Sequence, residues 1–266
     1  MAQTQEPTVF SDRVRQVAVV LGTALAVVGA SLGSGAAGGT PIQDAAGGAF
    51  AADATVLAPA VSAFSIWSAI YLGLIAYAVY QALPRQAGRP VHRAVGWWAL
   101  ASVLLNAAWI LVVQAGLLPL SLVVIVVLLA VLVVILARLR TIHASGWAEA
   151  IVVHGTMGLY LGWVLIATVA NVAAVLVGVG FTGAGLGPEA WGVIVLIAAG
   201  AIAVALAVWD HGLLAPAFGT AWGVFWIGVA RASGTPHSWE VALTAFVVAG
   251  VILVATVVTR LVQRTT

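Results

Sequence analysis

A stripe of aromatic and polar side chains runs through the apolar segment 160–171, YLGWVLIATVAN. Tyr160, Trp163, Ala167 and Asn171 recur at intervals of three and four residues, the spacing that places side chains on one face of a helix. An Asn amide turned toward lipid would leave its hydrogen-bonding groups unpaired, so this face must contact protein or ligand. The stripe therefore predicts either a packed helix interface or one wall of a binding pocket.

Two other apolar segments repeat this rhythm. Phe64, Trp67 and Tyr71 share one helical face, and Asn106 and Trp109 share another. Tryptophan usually lies at the edge of a bilayer, whereas Trp67, Trp109 and Trp163 lie deeper and share their faces with polar groups. Core packing and a ligand pocket both remain open at this point, because both use these residue types.

The residue inventory excludes several kinds of chemistry. The chain has no lysine, which rules out a retinal or pyridoxal Schiff base, and no cysteine, which rules out disulfides and thiolate chemistry. No His, Asp or Glu cluster has metal-ligand spacing, so we expect no metal site and no catalytic residues. We interpret His154 as a hydrogen-bonded neutral ring and Asp210 as a hydrated turn residue. The net charge of +2 gives no sign of nucleic-acid binding.

Composition defines the class of protein. Hydrophobic residues make up 63% of the chain and charged residues 7%, far below the roughly 25% of soluble domains. We predict an all-α, polytopic membrane bundle of about eight transmembrane helices. The seventh span contains Pro216, Gly219 and Gly223, so a re-entrant hairpin is an alternative there. The predicted spans are 14–34, 60–83, 94–115, 119–137, 150–177, 190–209, 212–230 and 240–259.

The arginines suggest an orientation. With eight spans and a cytoplasmic N-terminus, Arg231 is the only arginine in an external connection, as the positive-inside tendency favours. We expect an integral protein of the bacterial cytoplasmic membrane with both termini in the cytoplasm. The first span, followed by small residues at 31–39, also resembles a signal peptide, so its cleavage is an open alternative.

Two glycine-rich connections organise the chain. Residues 36–59 form the longest connection, which we expect to be an external, mobile flap. Residues 178–188 separate five spans from three. We therefore predict a five-helix unit over 1–179 and a three-helix extension over 180–266. Gly158 and Gly162 in the first unit, and Gly219 and Gly223 in the second, each form a Gly-x-x-x-Gly pair, which we expect to serve helix packing within one chain. A homodimer remains an open alternative.

Three of these motifs resemble the TspO/MBR family, the tryptophan-rich sensory or translocator proteins. The motifs are FSIWSAIY at 64–71, LNAAW at 105–109 and YLGWVLIATVAN at 160–171, and they lie in the second, third and fifth spans, as in that family. The resemblance covers roughly residues 14–178. It implies that the first five helices form a TspO/MBR-like bundle, which holds a tetrapyrrole such as protoporphyrin in a cavity opening toward the first loop.

The resemblance also implies site residues. Trp67 and Trp163 match the two tryptophans that the family places against the porphyrin and implicates in its light-dependent breakdown. Asn106 and Trp109 match the third-helix wall of the family's cavity, and Ala167 and Asn171 match its fifth-helix wall. With the two tyrosines of the motifs, the expected ligand-binding residues are Trp67, Tyr71, Asn106, Trp109, Tyr160, Trp163, Ala167 and Asn171.

The chain departs from the family pattern in its first loop and after Asn171. The loop has only Pro41 and Pro59 where family members carry Trp-Tyr, Lys-Pro and Pro-Pro, and Leu159 replaces a proline. The sterol-associated Tyr and Arg that follow the last Asn are absent, so we do not expect cholesterol binding. The three C-terminal spans lie outside the five-helix fold.

Two classes of function remain. We expect a membrane sensory or binding protein for a flat hydrophobic ligand, which would be a bound porphyrin or heme. We expect no obligatory cofactor, and breakdown of the porphyrin would be at most a side activity. The alternative is a transporter of a small hydrophobic metabolite, which the Gly- and Pro-containing seventh span would suit. Under either function, the expected partners of the protein are the lipid bilayer and the hydrophobic ligand.

Overall fold

The described part of the chain folds into eight long helices and contains no strand. The computed structural model describes residues 8–33, 38 and 40–265. The all-α prediction is therefore confirmed. The helices are α1 (Phe10–Gly33), α2 (Ile66–Ala82, after a 3-10 turn at Val61–Ser65), α3 (Pro90–Gln114), α4 (Leu118–Arg140), α5 (Trp147–Gly178, with a π-helical stretch at Ala150–Gly155), α6 (Pro188–Trp209), α7 (Leu214–Ser233) and α8 (Trp239–Thr265).

Seven of the eight helices described are long and apolar enough to cross a membrane, and α7 is the exception. This helix is nevertheless continuous over 20 residues, about 30 Å at the usual rise per residue and close to the thickness of a bilayer core. Its Pro216, Gly219 and Gly223 are all buried against other helices, which is why a less apolar sequence is tolerated. The re-entrant alternative is thus replaced by a continuous helix.

The first five helices close into a ring. Helix α1 packs against α2 and α3, α4 lies between α3 and α5, and α5 returns to α2. The last contact is close, since a Cβ added at Gly73 of α2 would lie 2.5 Å from the hydroxyl oxygen of Thr156 of α5. The ring encloses the aromatic side chains singled out in the sequence.

Helix α7 docks on the outside of this ring, against α5. A Cβ added at Gly162 would lie 2.8 Å from the backbone nitrogen of Thr220, and one added at Gly219 would lie 2.5 Å from the carbonyl oxygen of Leu159. Glycine is therefore required on both helices for this approach. The two Gly-x-x-x-Gly pairs face each other within one chain, as predicted. Helix α8 then packs between α7 and α6.

Most arginines gather at one end of the bundle, which we call the arginine-rich end. Arg15 and Arg93 pair with Asp12 at 2.8 and 2.7 Å, and Arg89 pairs with Glu149 at 2.9 Å. These ion pairs join α1, α3 and α5. The N-terminus of α1 and the C-terminal part of α8 therefore lie at this end. Arg260 of α8 donates there to the carbonyl of Gly212, in the turn after α6.

That turn contains Asp210, which is buried, so the interpretation of this residue as a hydrated turn residue is wrong. Its Oδ1 accepts hydrogen bonds from the backbone N–H groups of Gly212 at 3.1 Å and Leu213 at 2.9 Å. Burial raises the pKa of Asp210 to about 6, and the two backbone donors act in the opposite direction. The carboxylate thus shapes the entry into α7.

Residues 40–60, which we call the covering loop, lie across the opposite end of the ring. Ile42, Phe50, Val56 and Leu57 are buried, the last two among side chains of the C-terminal helices. The described part of the expected mobile flap is thus a packed loop. Residues 36, 37 and 39 of that segment, and residues 34 and 35 of the small-residue stretch after α1, lie outside the described residues.

The α5–α7 contact makes a first prediction. Gly162→Val should destabilise the protein by about 1–3 kcal/mol, the usual cost of forcing extra carbons into a packed site. A lowered melting temperature in detergent would report the loss. Gly250→Val is the matched control, because a Cβ at Gly250 meets nothing within 4 Å. Equal melting temperatures for the two variants would contradict the proposed packing.

Candidate functional site

An aromatic cluster occupies the centre of the five-helix ring. Trp67 stacks on Tyr71 with ring centroids 5.3 Å apart and meets Tyr160 and Trp163 edge-on at 5.8 and 6.3 Å. Phe64 meets Trp163 edge-on at 5.8 Å. These residues come from α2, its preceding 3-10 turn and α5, and their helical spacing delivers them to one place.

Two small adjoining cavities lie beside this cluster. The outer one, under the covering loop, has a volume of about 30 Å³ and the inner one about 20 Å³. Each is large enough for roughly one water molecule. Both are bordered by Phe64, Trp109, Trp163 and Ala167. The aromatic rings therefore fill most of the space at the centre of the ring.

The covering loop closes the outer cavity. Phe50 lies edge-on against Trp109 with centroids 5.6 Å apart, and Thr55 and Ala58 complete the roof. On the helix side, Ile166 and Ala170 of α5 form the floor. Sequence reasoning missed these loop residues. The one available signal was Phe50, a single aromatic residue in a segment rich in Ala and Gly.

Polar groups near the cluster are few and specifically placed. Asn106 Nδ2 donates to the Tyr71 hydroxyl at 2.7 Å, and the Tyr160 hydroxyl donates to the Ser102 carbonyl at 3.2 Å. The buried indole N–H groups of Trp109 and Trp163 find no acceptor within the described ranges. A buried indole N–H normally has a partner. The cavities are thus bordered by two residues with unused donors.

The expected site residues fall into three groups. Trp67, Asn106, Trp109, Trp163 and Ala167 border the cavities. Tyr71 and Tyr160 lie behind Trp67 and support its ring.

Asn171 lies apart from the cavities. It is fully buried, and its Nδ2 donates to the Ser121 hydroxyl of α4 at 3.0 Å. The amide therefore ties α5 to α4 about one turn beyond Ala167. The amide is satisfied by protein, as its position in an apolar helix requires.

Helix α7 holds the covering loop and the start of α2. Trp222 Nε1 donates to the Ala63 carbonyl at 2.9 Å, and the Trp226 carbonyl accepts from Ala60 N–H at 3.1 Å. Arg231 donates to the carbonyl of Ala52 in the loop. The two tryptophans border neither cavity. They position the segment that does.

The cavity walls carry no His, Asp or Glu side chain. His154 lies in the π-helical stretch near the arginine-rich end, where its Nε2 lies 3.0 Å from the Ile142 carbonyl oxygen. Among the described residues, no three His, Asp or Glu side chains come together as a candidate metal site. Neither cavity lining includes a His or Met.

The fold and the aromatic site define a class: an integral membrane protein in which a ring of five helices encloses tryptophan side chains. The sequence model of the family described as TSPO-like protein matches residues 18–258, and the chain belongs to that family. No curated protein and no solved structure matches the chain. The family match runs through α6, α7 and α8, beyond the 14–178 range expected from the motifs. The division at 179/180 stays a prediction.

The Asn171 contact makes a second prediction. Ser121→Ala and Asn171→Ala, alone and together, should show a coupling energy of about 0.6 kcal/mol, typical of hydrogen bonds between membrane helices. Denaturation in mixed micelles would measure it. Thr256→Ala in α8 is the control partner, because its hydroxyl bonds within its own helix and should combine additively with Asn171→Ala. Additive effects of Ser121→Ala and Asn171→Ala would contradict the assignment.

Proposed function

We propose that this TSPO-like protein binds a flat hydrophobic ligand, a tetrapyrrole such as protoporphyrin, as a membrane sensory or binding protein. The observation that carries the proposal is that Trp109 and Trp163 border both cavities and that Trp67 borders the inner one. Flat indole rings stack on flat macrocycles, at about 0.5–1.5 kcal/mol per aromatic pair beyond the burial of area. The unused N–H donors of Trp109 and Trp163 would supply oriented polar contacts.

The closed cavities are smaller than any macrocycle, so binding requires them to widen. The element whose movement would widen them is the roof that the covering loop forms, and it includes the ring of Phe50, which contacts Trp109. The loop contains many small residues and has no helix longer than a single turn. Its displacement would join the outer and inner cavities around Trp163.

A free-base porphyrin suits the walls better than a heme. Heme iron is usually held by His, Met, Cys or Tyr, and the cavity linings contain none of these residues. Tyr71 is already engaged by Asn106 and Tyr160 by Ser102. The residues that would hold the ring are therefore the tryptophans and Ala167.

Transport is the less favoured alternative. The transporter hypothesis depends on an interruption of the seventh helix, because interrupted helices form the substrate sites of many transporters. Helix α7 is continuous and is clamped to α5 through Gly162 and Gly219. We further propose that the arginine-rich end faces the cytoplasm of a bacterium, following the positive-inside tendency, so that the covering loop lies outside.

Protoporphyrin titration tests the binding proposal. Purified protein in detergent should show saturable quenching of tryptophan fluorescence, and Trp67→Phe combined with Trp163→Phe should raise the Kd about tenfold, because two stacking partners become smaller. The matched control is Trp97→Phe combined with Trp147→Phe, since both of these tryptophans are exposed. An unchanged Kd in the folded Trp67/Trp163 variant would overturn the pocket assignment.

A further inference from the structure

Arg231 is a buried cation with an incomplete set of partners. Its side chain is 0% exposed, and one terminal nitrogen donates to the Ala52 carbonyl of the covering loop. Its Nε and Nη1 atoms have no acceptor in the described part of the chain. No ion pair among the described residues includes it. A buried charge without a counter-charge is costly, so its retention calls for an explanation.

The arginines at the arginine-rich end differ in this respect. Arg15 and Arg89 are both largely buried, and each meets a carboxylate, Asp12 and Glu149 respectively. The same chain thus provides a counter-charge for buried arginines elsewhere. On the covering loop, Asp53 is exposed and is not within ion-pair distance of Arg231, so its negative charge acts on the guanidinium only across a longer distance.

The helix register places Arg231 close to the outer cavity. Helices α5 and α7 run in parallel, with Gly162 beside Gly219 and Ile166 beside Gly223. Continued by two turns, this register sets Arg231 beside Ala174, about 6 Å beyond Ala170 of the cavity floor. Helical side chains lean toward the N-terminus of their helix, which here is toward the cavity.

The loop contact supports this placement. Ala52, whose carbonyl accepts from Arg231, lies between Phe50 and Thr55, and both of those residues border the outer cavity. The guanidinium therefore adjoins the roof that must move when the cavity widens. Arg231 does not itself border the closed cavity, so its donors reach a ligand only once that roof has moved.

We propose that Arg231 recognises a carboxylate of the ligand, so that the ligand class is a flat hydrophobic acid. A guanidinium offers N–H donors in a planar fork that matches the two oxygens of a carboxylate. The carboxylate would accept from Nη2, released when the loop moves away from it, together with either Nε or Nη1, and it would neutralise the buried charge. This inference rests on the proposed function, and it assigns a role in ligand selection to α7.

The test compares protoporphyrin, which carries two carboxylates, with its dimethyl ester, which has the same ring without the charges. The decisive quantity is the Kd of the ester divided by the Kd of the acid. The two compounds partition differently into detergent, but this difference is the same for every variant and cancels when the ratios of two variants are compared. Arg231→Gln should lower this ratio about tenfold, the value of one charged hydrogen-bonded contact. The ester's own Kd should change little.

Two further variants complete the design. Arg260→Gln is the matched control, since Arg260 also donates to a backbone carbonyl, that of Gly212, but at the arginine-rich end. It should leave the ratio unchanged. Arg231→Lys keeps the charge without the planar fork, and should give a ratio between those of the wild type and Arg231→Gln. It also serves if Arg231→Gln does not fold.

The outcomes are distinct. An equal ratio in the wild type and in both Arg231 variants overturns the inference while leaving ring binding intact. A parallel loss of acid and ester binding in Arg231→Gln means that Arg231 only holds the loop, which also overturns it. If the wild type binds neither compound, the proposed function itself fails.

Discussion

The close approach of α5 and α7 is the contact on which the arrangement of the site depends. Gly162 and Gly219 let the two backbones meet with no side chain between them. One face of α5 then carries Trp163 and Ala167 into the ring, and another face carries α7. Because α7 is fixed in this way, its Trp222, Trp226 and Arg231 reach the covering loop and the start of α2.

The same contact explains why the cavity is closed. The loop is tied to α7 by backbone and side-chain hydrogen bonds and to α3 by the ring contact of Phe50 with Trp109. Each of these interactions is individually modest, of the order of 1 kcal/mol. A ligand that buries a large flat surface against tryptophans can therefore offset them. Closure without ligand follows from this set of weak contacts, and under the proposed function so would opening on binding.

The sequence predicts the helices well because lipid imposes a simple requirement on them. Each span needs about 20 apolar residues, and periodic spacing identifies the inward faces. Trp67 and Trp163 lie beside each other in the structure, and their role in binding a ligand stays a prediction. The resemblance to the family added a ligand to these predictions. The motifs that carry the resemblance end in α5, whereas the family match continues to residue 258.

What the sequence could not predict depends on tertiary contacts. Asn171 shares the face of Trp163, yet it lies two turns further along and meets Ser121 of α4. The covering loop has no periodic pattern, so the burial of Phe50 could not be derived. Arg231 was interpreted as the edge of an external connection, because its burial depends on a loop nearly 180 residues earlier.

We propose that ligand binding displaces the covering loop from α7. The chain has no cysteine, so Asp53→Cys and Ser233→Cys, both at exposed positions, would allow a single pair of spin labels to report the distance between loop and helix. Saturating protoporphyrin should shift the distance distribution to values longer by more than about 2 Å, the scale of a loop rearrangement on binding. An unchanged distribution in a sample whose tryptophan quenching shows full occupancy would contradict the account.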